Sequence, residues 1–306
     1  MRIFRNFADA RCIRNPVVTT GSFDGVHIGH KTILKRLRML AEKCDGESVL
    51  ITFEPHPRKV LYPETAGRDL RLISSHKEKL MLLEEAGLDN VIIVDFTLEF
   101  SRITSEQFVR DLLHATLNAK IVVVGFNHHF GFNKEGDYTQ LGEWKEKYGF
   151  EAEEIPEQEV YHETVSSTRI RQAITEGYIQ RANAYLDHYY LINGPAGECI
   201  ASGLTGIDRL QNICITDECK LIPPQGIYAV SVEIGQMKSK GMVVILKPEG
   251  EKPAVMADVF DQPGILPGSE ITLYFHKKIY GALNFTDNRA QAKIVLAREE
   301  ISDLIY

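Results

Sequence analysis

Two histidines spaced three residues apart, His27 and His30, stand in the stretch GSFDGVHIGHKTIL. An apolar run precedes the stretch, and apolar residues recur at helical spacing after it, which predicts a strand, a turn and a helix that begins near Gly29. The unpaired amide groups and the positive dipole end at a helix entrance bind anions, and Gly21, Gly25 and Gly29 let the backbone approach a phosphate closely. The pattern predicts a phosphate site. The alternative is that the two histidines are solvated or cap the helix.

A second stretch, VSSTRIRQAITEG, combines hydroxyl side chains with arginines. Ser166, Ser167 and Thr168 precede a helical run, so their hydroxyls can cap the helix while its amide groups face a phosphate. Arg171, three residues after Thr168, can return to the same helix end and contact a phosphate through two nitrogens. An ordinary capped helix with surface arginines is the alternative.

Two predicted loops carry further candidate binding residues. Asn127 follows a strand of the buried type in KIVVVGFNHHFG, and open α/β sheets bind ligands where such strands end. His56 stands between two prolines in FEPHP. The prolines make this loop rigid, so that it can form one wall of a ligand pocket. For His128 and His129 in the same stretch as Asn127, packing is the alternative. A metal site is a further alternative, although HxGH has no carboxylate or thiolate beside it.

The surrounding sequence indicates two architectures. Up to residue 188, short β-branched runs alternate with helical patterns, which is typical of a parallel sheet covered by helices. From residue 189 onward, short strands separated by Gly, Pro and Asp predict a small antiparallel β-barrel, followed by a C-terminal helix. We therefore predict an α/β domain over residues 1–188 and a barrel domain over residues 189–306.

Composition excludes several classes of protein. The 306 residues carry a formal net charge of −7, which argues against a nucleic-acid-binding surface. Charges in MRIFRNFADA interrupt the apolar core that a secretory signal needs, and no apolar run approaches the roughly 20 residues that span a bilayer. Five scattered cysteines without a CxxC pair fit reduced thiols. These features predict a cytoplasmic protein without nucleic-acid or membrane partners.

HxGH after the first strand resembles the nucleotidyltransferase superfamily. The longer string TTGSFDGVHIGHKTIL resembles more narrowly the FMN adenylyltransferase module of the prokaryotic bifunctional riboflavin kinase and FAD synthetase family. ITFEPHPRKVL, VVGFNHHFGFNKEGDY and VSSTRIRQAITEG agree with that family in order and spacing. The resemblance implies a Rossmann-like domain followed by a riboflavin-kinase-like barrel.

The resemblance also implies a reaction: AMP passes from ATP, accompanied by Mg²⁺, to FMN, and pyrophosphate leaves. It implies catalytic roles for His27, His30 and Arg171, and a flavin-binding role for His56 and Asn127. No residue is predicted to ligate a metal. The residues implied to bind the ATP phosphates are Gly21, Phe23, Asp24, Gly25, Gly29, Ser167 and Thr168.

The C-terminal half departs from the kinase pattern of that family. Where the family has FPTAN, this chain has DRLQN, so that Leu210 replaces a metal-binding Thr and Arg209 a Pro. The strand that should carry a catalytic Glu is PAVMADV, with Val255, Met256 and Ala257 around the expected position. We predict a retained barrel without kinase activity. A shifted register in which Asp258 or Glu251 acts as the base is the alternative.

Three functions remain open on the sequence. The first is synthesis of FAD from FMN and ATP. The second is the bifunctional enzyme, which also phosphorylates riboflavin to FMN. The third is a non-catalytic sensor of flavin or nucleotide, which the intact HxGH and SSTRIR stretches disfavour.

Overall fold

A computed structural model describes residues 1–126, 128–160, 163–204, 207–247, 252–261, 265–282 and 288–305. The chain divides into two compact units. The first unit holds Met1–Leu70 and Lys79–Val165, and the second holds Arg71–Glu78 and Ser166–Tyr306. The domain boundary predicted after residue 188 falls within the second unit and stays a prediction.

The first unit is built on a six-stranded parallel sheet. Its strands are β1 (Arg2–Phe4), β2 (Pro16–Thr20), β3 (Glu47–Glu54), β4 (Asn90–Asp95), β5 (Ile121–Gly125) and β6 (Glu151–Ile155), in the spatial order β1-β4-β3-β2-β5-β6. Strands β2 to β5 are buried along most of their length, as expected for parallel strands covered on both faces. A two-stranded antiparallel ribbon follows, β7 (Glu159–Val160) with β8 (Glu163–Thr164).

Helices connect these strands. They are α1 (Ile28–Lys43), α2 (Pro57–Leu61), α3 (His76–Glu85), α4 (Ser105–Gln107), which continues into a π-helical segment (Phe108–Thr116), and α5 (Tyr138–Tyr148), with single 3₁₀ turns at Asp9–Cys12, Phe100–Arg102 and Phe132–Lys134. The first helix buries the stripe that the sequence predicts, Leu34, Leu37, Leu40 and Ala41. This burial places the start of α1 directly after the carboxyl end of β2.

The strand order identifies where a ligand should bind. The chain adds β3 and β4 on one side of β2, whereas β5 and β6 lie on its other side. Open α/β sheets bind ligands at such a switch in strand order, outside the carboxyl ends of the strands. In this chain the switch lies between β2 and β5, and the stretch that contains His27 and His30 follows β2.

In its described residues, the second unit contains a closed six-stranded barrel with helices before and after it. Helices α6 (Ser167–Glu176) and α7 (Ile179–Leu186) precede the strands β9 (Tyr190–Leu204), β10 (Ile207–Ile213), β11 (Gly226–Ile234), β12 (Met237–Leu246), β13 (Ala254–Val259) and β14 (Glu270–Tyr280), and α8 (Asn288–Leu304) ends the chain. The barrel order is β10-β13-β12-β11-β14-β9, antiparallel throughout. Apolar residues of α8, among them Ile294, Ala297 and Ile301, share one core with strand residues.

The fold class predicted from the sequence is confirmed: a parallel sheet with helices, then an antiparallel barrel and a C-terminal helix. In the part of the chain that the structure describes, no helix is both long and apolar enough to cross a membrane.

Candidate active site

The loop between β2 and α1 has an unusual backbone. Phe23 (φ 48°), Gly25 (φ 81°) and Val26 (φ 41°) all lie in the left-handed region. A β-branched residue such as Val26 rarely adopts this conformation. The conformation costs about 1–3 kcal/mol and persists only where the surrounding structure holds it in place. Here the Phe23 and Val26 side chains are buried, which supplies that support. Strain that is held by packing in this way is characteristic of functional loops.

Three rings form a stack at the helix entrance. The His27 and His30 ring centroids lie 3.6 Å apart with the planes 19° from parallel, and Phe23 stacks on His30 with centroids 4.3 Å apart. His27 is the N-cap residue of α1. Gly29 lies so near that a Cβ at its position would meet the His27 ring at 3.3 Å. The structure therefore brings both predicted histidines together, side by side, at the amino end of α1.

The surroundings of the His30 ring disfavour its protonated form. Burial, the neighbouring His27 and the Lys79 ammonium, in that order, hold the pKa of His30 well below its ordinary value of 6.5. Its Nδ1 atom is buried and has no hydrogen-bond partner among the described residues. A buried polar atom without a partner is costly in a folded protein and suits a site that a ligand completes.

Lys79 in α3 is a site residue that the sequence interpretation missed. Its ammonium is buried and donates hydrogen bonds to the Ser22 carbonyl (3.4 Å) and to Thr52 Oγ1 (3.2 Å). Burial lowers the pKa of Lys79, although the Asp24 and Glu54 carboxylates oppose that shift. The available signal was its spacing: Lys79 stands three and four residues before Leu82 and Leu83, which are buried, and so lies on the inward face of the helix.

The remaining predicted residues of this loop are also buried or constrained. Asp24 is 3% exposed and close enough to Lys79 to affect its pKa. Gly21 has φ 159°, and a Cβ there would meet the Phe23 ring at 3.1 Å. Thr20 ends β2 with a buried hydroxyl that has no hydrogen-bond partner among the described residues. The loop and Lys79 of α3 thus bring a carboxylate, an ammonium and two imidazole groups close enough to affect one another's charge.

The predicted flavin-binding residues have different outcomes. His56 is the N-cap of α2, where its Nδ1 accepts a hydrogen bond from the Arg58 N–H (3.2 Å). Asn127 lies outside the described residues. Its neighbour His128 stacks near Phe130, and burial together with His129 lowers the pKa of His128 to about 4. Within the described ranges, no three His, Cys, Asp or Glu residues are grouped so that they could hold a metal ion.

Ser167, Thr168 and Arg171 lie in the second unit, near the start of α6. Ser166 is the N-cap, and its side chain accepts a hydrogen bond from the Arg169 N–H (3.4 Å). The Arg171 Nε donates to the Arg71 carbonyl (2.9 Å). The capped helix that the sequence predicts is present, and Arg171 follows its first turn with one nitrogen held by the backbone.

The barrel positions named in the sequence also differ in their surroundings. Leu210 is buried in the core that α8 closes, together with Ile294 and Ile301, so this position packs rather than binds. Asp258 in β13 lies 3.6 Å from Arg298 Nε, and burial raises the pKa of its carboxyl. The side chain of Arg209, and Glu251 altogether, lie outside the described residues.

Known proteins of one family are similar to this chain over most of its length. Residues 9–169 match the family model described as FAD synthetase. The chain is 30% identical over 297 residues to the bifunctional riboflavin kinase/FMN adenylyltransferase of Escherichia coli (strain K12), which covers 94% of this chain and 91% of that relative. It is 30% identical over 267 residues to the protein of the same description from Listeria monocytogenes, covering 87% and 81%. A solved structure titled as a macrolide-efflux protein from Streptococcus pneumoniae aligns over the whole of both chains, with a TM-score of 0.87 and 26% identity.

Proposed function

The chain belongs to the FAD synthetase family, and we propose that it is an FMN adenylyltransferase that transfers AMP from ATP to FMN and releases pyrophosphate. The observation that carries this proposal is the stacked His27–His30 pair at the entrance of α1. The pair lies at the switch in strand order, where open α/β sheets bind ligands, and the amide groups of a helix N-terminus are suited to a phosphate.

The reaction needs positioning and charge stabilisation rather than a covalent intermediate. An oxygen of the FMN phosphate attacks the α-phosphorus of ATP in line, the bond from that phosphorus to the bridging oxygen breaks, and pyrophosphate carries the electron pair away. The attacking phosphate is already ionised near neutral pH, so no general base is required. Catalysis therefore depends on groups that hold the phosphates and stabilise the developing charge.

His27, His30 and the first amides of α1 are the groups proposed for that role. The lowered pKa of His30 favours its neutral imidazole form. A neutral imidazole has one N–H to donate, and the negative charge of a bound triphosphate favours protonation of the ring. Gly21, Gly25 and Gly29 give the phosphates access to the backbone. Phe23 supports the His30 ring, and Asp24 balances the buried charge of Lys79.

The remaining site roles are proposed from the resemblance of these motifs to the family. Ser167, Thr168 and Arg171 are proposed to contact the ATP phosphates, and His56 and Asn127 to contact the flavin. ATP is proposed to arrive as its Mg²⁺ complex, in which the ion neutralises the polyphosphate. The chain's own oxygen donors near α1, Asp24 and Thr20, suit such a hard cation. The protein is further proposed to act in the cytoplasm, without nucleic-acid or membrane partners.

A bifunctional enzyme is the second candidate, because the relatives are named for both activities. We propose that riboflavin kinase activity is absent here, since the position expected to ligate the metal is Leu210, which is buried in an apolar core. A non-catalytic sensor is the third candidate.

One experiment separates the three. The purified protein is incubated with Mg²⁺, ATP and either FMN or riboflavin, and the flavins are separated by chromatography. Formation of FAD from FMN, with no FMN formed from riboflavin, supports the proposal. FMN from riboflavin indicates the bifunctional enzyme, and binding of flavin without any product indicates the sensor.

A further inference from the structure

A segment distant in sequence is built into the second unit. Arg71–Glu78, which we call the strap, belongs to that unit although the unit's other residues begin at Ser166. The Leu72 N–H donates to the Cys219 carbonyl (2.7 Å), and the Leu72 carbonyl accepts from the Leu221 N–H (2.8 Å). The strap therefore runs parallel to residues 219–221, as a short backbone pairing.

A buried ion pair fastens the strap. Lys220 Nζ lies 2.6 Å from Glu78 Oε2, and their side chains are only 2% and 1% exposed. The same ammonium donates to the carbonyls of Ile73 (2.6 Å) and Leu191 (2.7 Å). An ammonium has three N–H groups, and each of them has an acceptor here. The Tyr190 ring lies beneath the charge, with its centroid 4.4 Å away.

The Glu78 carboxylate is equally well satisfied. It accepts hydrogen bonds from the backbone N–H of Asn193 (2.8 Å) at one oxygen and from that of Ser75 (2.7 Å) at the other. Burying two charges is costly unless the geometry and the additional hydrogen bonds are good. Because both carboxylate oxygens and all three ammonium N–H groups have fixed partners, the pair defines a single position for the strap relative to β9.

The first residue of the strap, Arg71, is hydrogen-bonded to Arg171, which is proposed to bind ATP. The Arg71 carbonyl accepts the hydrogen bond from Arg171 Nε (2.9 Å). Nε is the guanidinium nitrogen nearest the side-chain stem, so this bond fixes the plane of the guanidinium group. Arg71 also donates to the Glu218 carbonyl. The direction in which Arg171 points therefore depends on where the strap lies.

We propose that the Lys220–Glu78 pair positions Arg171 for the ATP phosphates by holding the strap against β9 and residues 219–221. The inference rests on the proposed role of Arg171 in ATP binding. Lys220 and Glu78 are positioning residues in this scheme, since they act through the strap. The scheme gives the barrel a function in adenylyl transfer that requires no kinase chemistry.

A double-mutant cycle on the full-length chain tests this coupling. Affinity for α,β-methylene-ATP with Mg²⁺ is measured by calorimetry for the wild type, Arg171→Ala, Lys220→Met and the double variant. We expect Arg171→Ala to weaken binding roughly 10- to 100-fold, as for loss of a hydrogen bond to a charged group, and Lys220→Met to weaken it comparably. The double variant should bind within about twofold of Arg171→Ala, because both changes remove the same contact.

If the affinity losses of the two single variants multiply in the double variant, the two residues act independently. That result would overturn the proposal and leave Lys220 with a role in stability alone. Unchanged affinity in Arg171→Ala would instead remove the proposed function of Arg171, and the positioning scheme with it. In steady-state kinetics, Lys220→Met should raise KM for ATP and leave KM for FMN unchanged.

Two further variants serve as a replacement for Lys220→Met and as a control. If Lys220→Met does not fold, Leu72→Pro takes its place in the cycle, since it removes the N–H that pairs with Cys219 and keeps the buried charges. Lys252→Met is the matched control, because Lys252 pairs with Glu218 beside the same segment but is 81% exposed. It should bind the analogue with wild-type affinity.

Discussion

His30 has two properties that suit the proposed phosphate site: it lies at the amino end of α1, and the residues around it shift the pKa of its ring. Its ring is held between Phe23 and His27, and its pKa is lowered by burial, by His27 and by Lys79. A side chain held on both faces loses little conformational freedom when a phosphate binds, which is the physical basis of electrostatic preorganisation.

Replacing His30 by Ala should lower kcat/KM for FAD synthesis by about 10²- to 10³-fold, the usual loss when one preorganised donor is removed. The variant should remain folded, as judged by circular dichroism and thermal unfolding. His114→Ala is the control, since His114 is an exposed histidine outside this loop. Near-normal turnover in folded His30→Ala protein would remove His30 from the mechanism.

Lys79→Met should raise the pKa of His30 toward 6.5, because a nearby cation that disfavours the imidazolium is removed. NMR titration of the histidine ring protons measures this directly. The pKa of His30 is lower in the folded state than in the unfolded state. Protonation therefore favours the unfolded state, and His30 lowers the free energy of unfolding as the pH falls below about 6.5. In Lys79→Met, the free energy of unfolding should decrease less over the same pH range.

Lys35→Met is the matched control for this titration, because Lys35 is exposed on α1 and water screens its charge. An unchanged His30 pKa in Lys79→Met would mean that Lys79 serves only to hold the Ser22 carbonyl and the Thr52 hydroxyl.

At the scale of elements, the first turn of α1 is shaped for its histidines at the expense of helix stability. Gly29 lies inside the helix, where glycine costs about 1 kcal/mol relative to alanine. A Cβ at this position would contact the His27 ring at 3.3 Å, closer than is usual. The ring beside it is thus a second reason for the glycine, in addition to the access to the backbone that is proposed for the phosphates.

Gly29→Ala should therefore separate stability from activity. We expect an unchanged or higher free energy of unfolding from helix propensity and a fall in FAD synthesis on the order of tenfold or more, since small displacements of catalytic groups are costly. Urea unfolding and steady-state kinetics measure the two effects. Gly142→Ala in α5 is the control, because a Cβ there would meet no described atom within 4 Å beyond its own stretch of helix; in that variant, activity should stay at the wild-type level.

At the scale of the whole molecule, the closed barrel is present, and two of its segments differ from the kinase pattern that the family resemblance implies. Leu210 contributes to the core that α8 closes, and β13 presents Val255 and Ala257 as buried apolar residues. The strap gives a reason for retention, because barrel residues hold the segment that fixes Arg171.

The purified enzyme should convert FMN to FAD and produce no detectable FMN from riboflavin. A kinase must neutralise the transferring phosphate with Mg²⁺ and orient the flavin hydroxyl, and loss of both groups should cost several powers of ten. Chromatography after incubation with Mg²⁺, ATP and riboflavin provides the measurement. If FMN forms at a rate comparable to that of FAD formation, Asp258→Asn tests whether that carboxylate has become the base.

The sequence by itself determined the fold class of the two halves and the position of the histidine motif. These features depend on residues close together in the chain: apolar periodicity predicts α1 and β2, and the spacing of His27 and His30 places both at the first turn of one helix. The parallel sheet, the barrel and the C-terminal helix followed from such local patterns.

Only the tertiary structure decided which charges are buried and what they contact. Lys79 meets Ser22 across 57 positions of sequence, and Lys220 meets Glu78 across 142. A lysine in a helix pattern is ordinarily a solvated residue, and its burial depends on which strand ends and loops the fold brings against it. The left-handed backbone at Val26 is likewise held by surrounding packing rather than by local preference. Long-range packing therefore decided the electrostatics of the site, whereas local patterns had already located it.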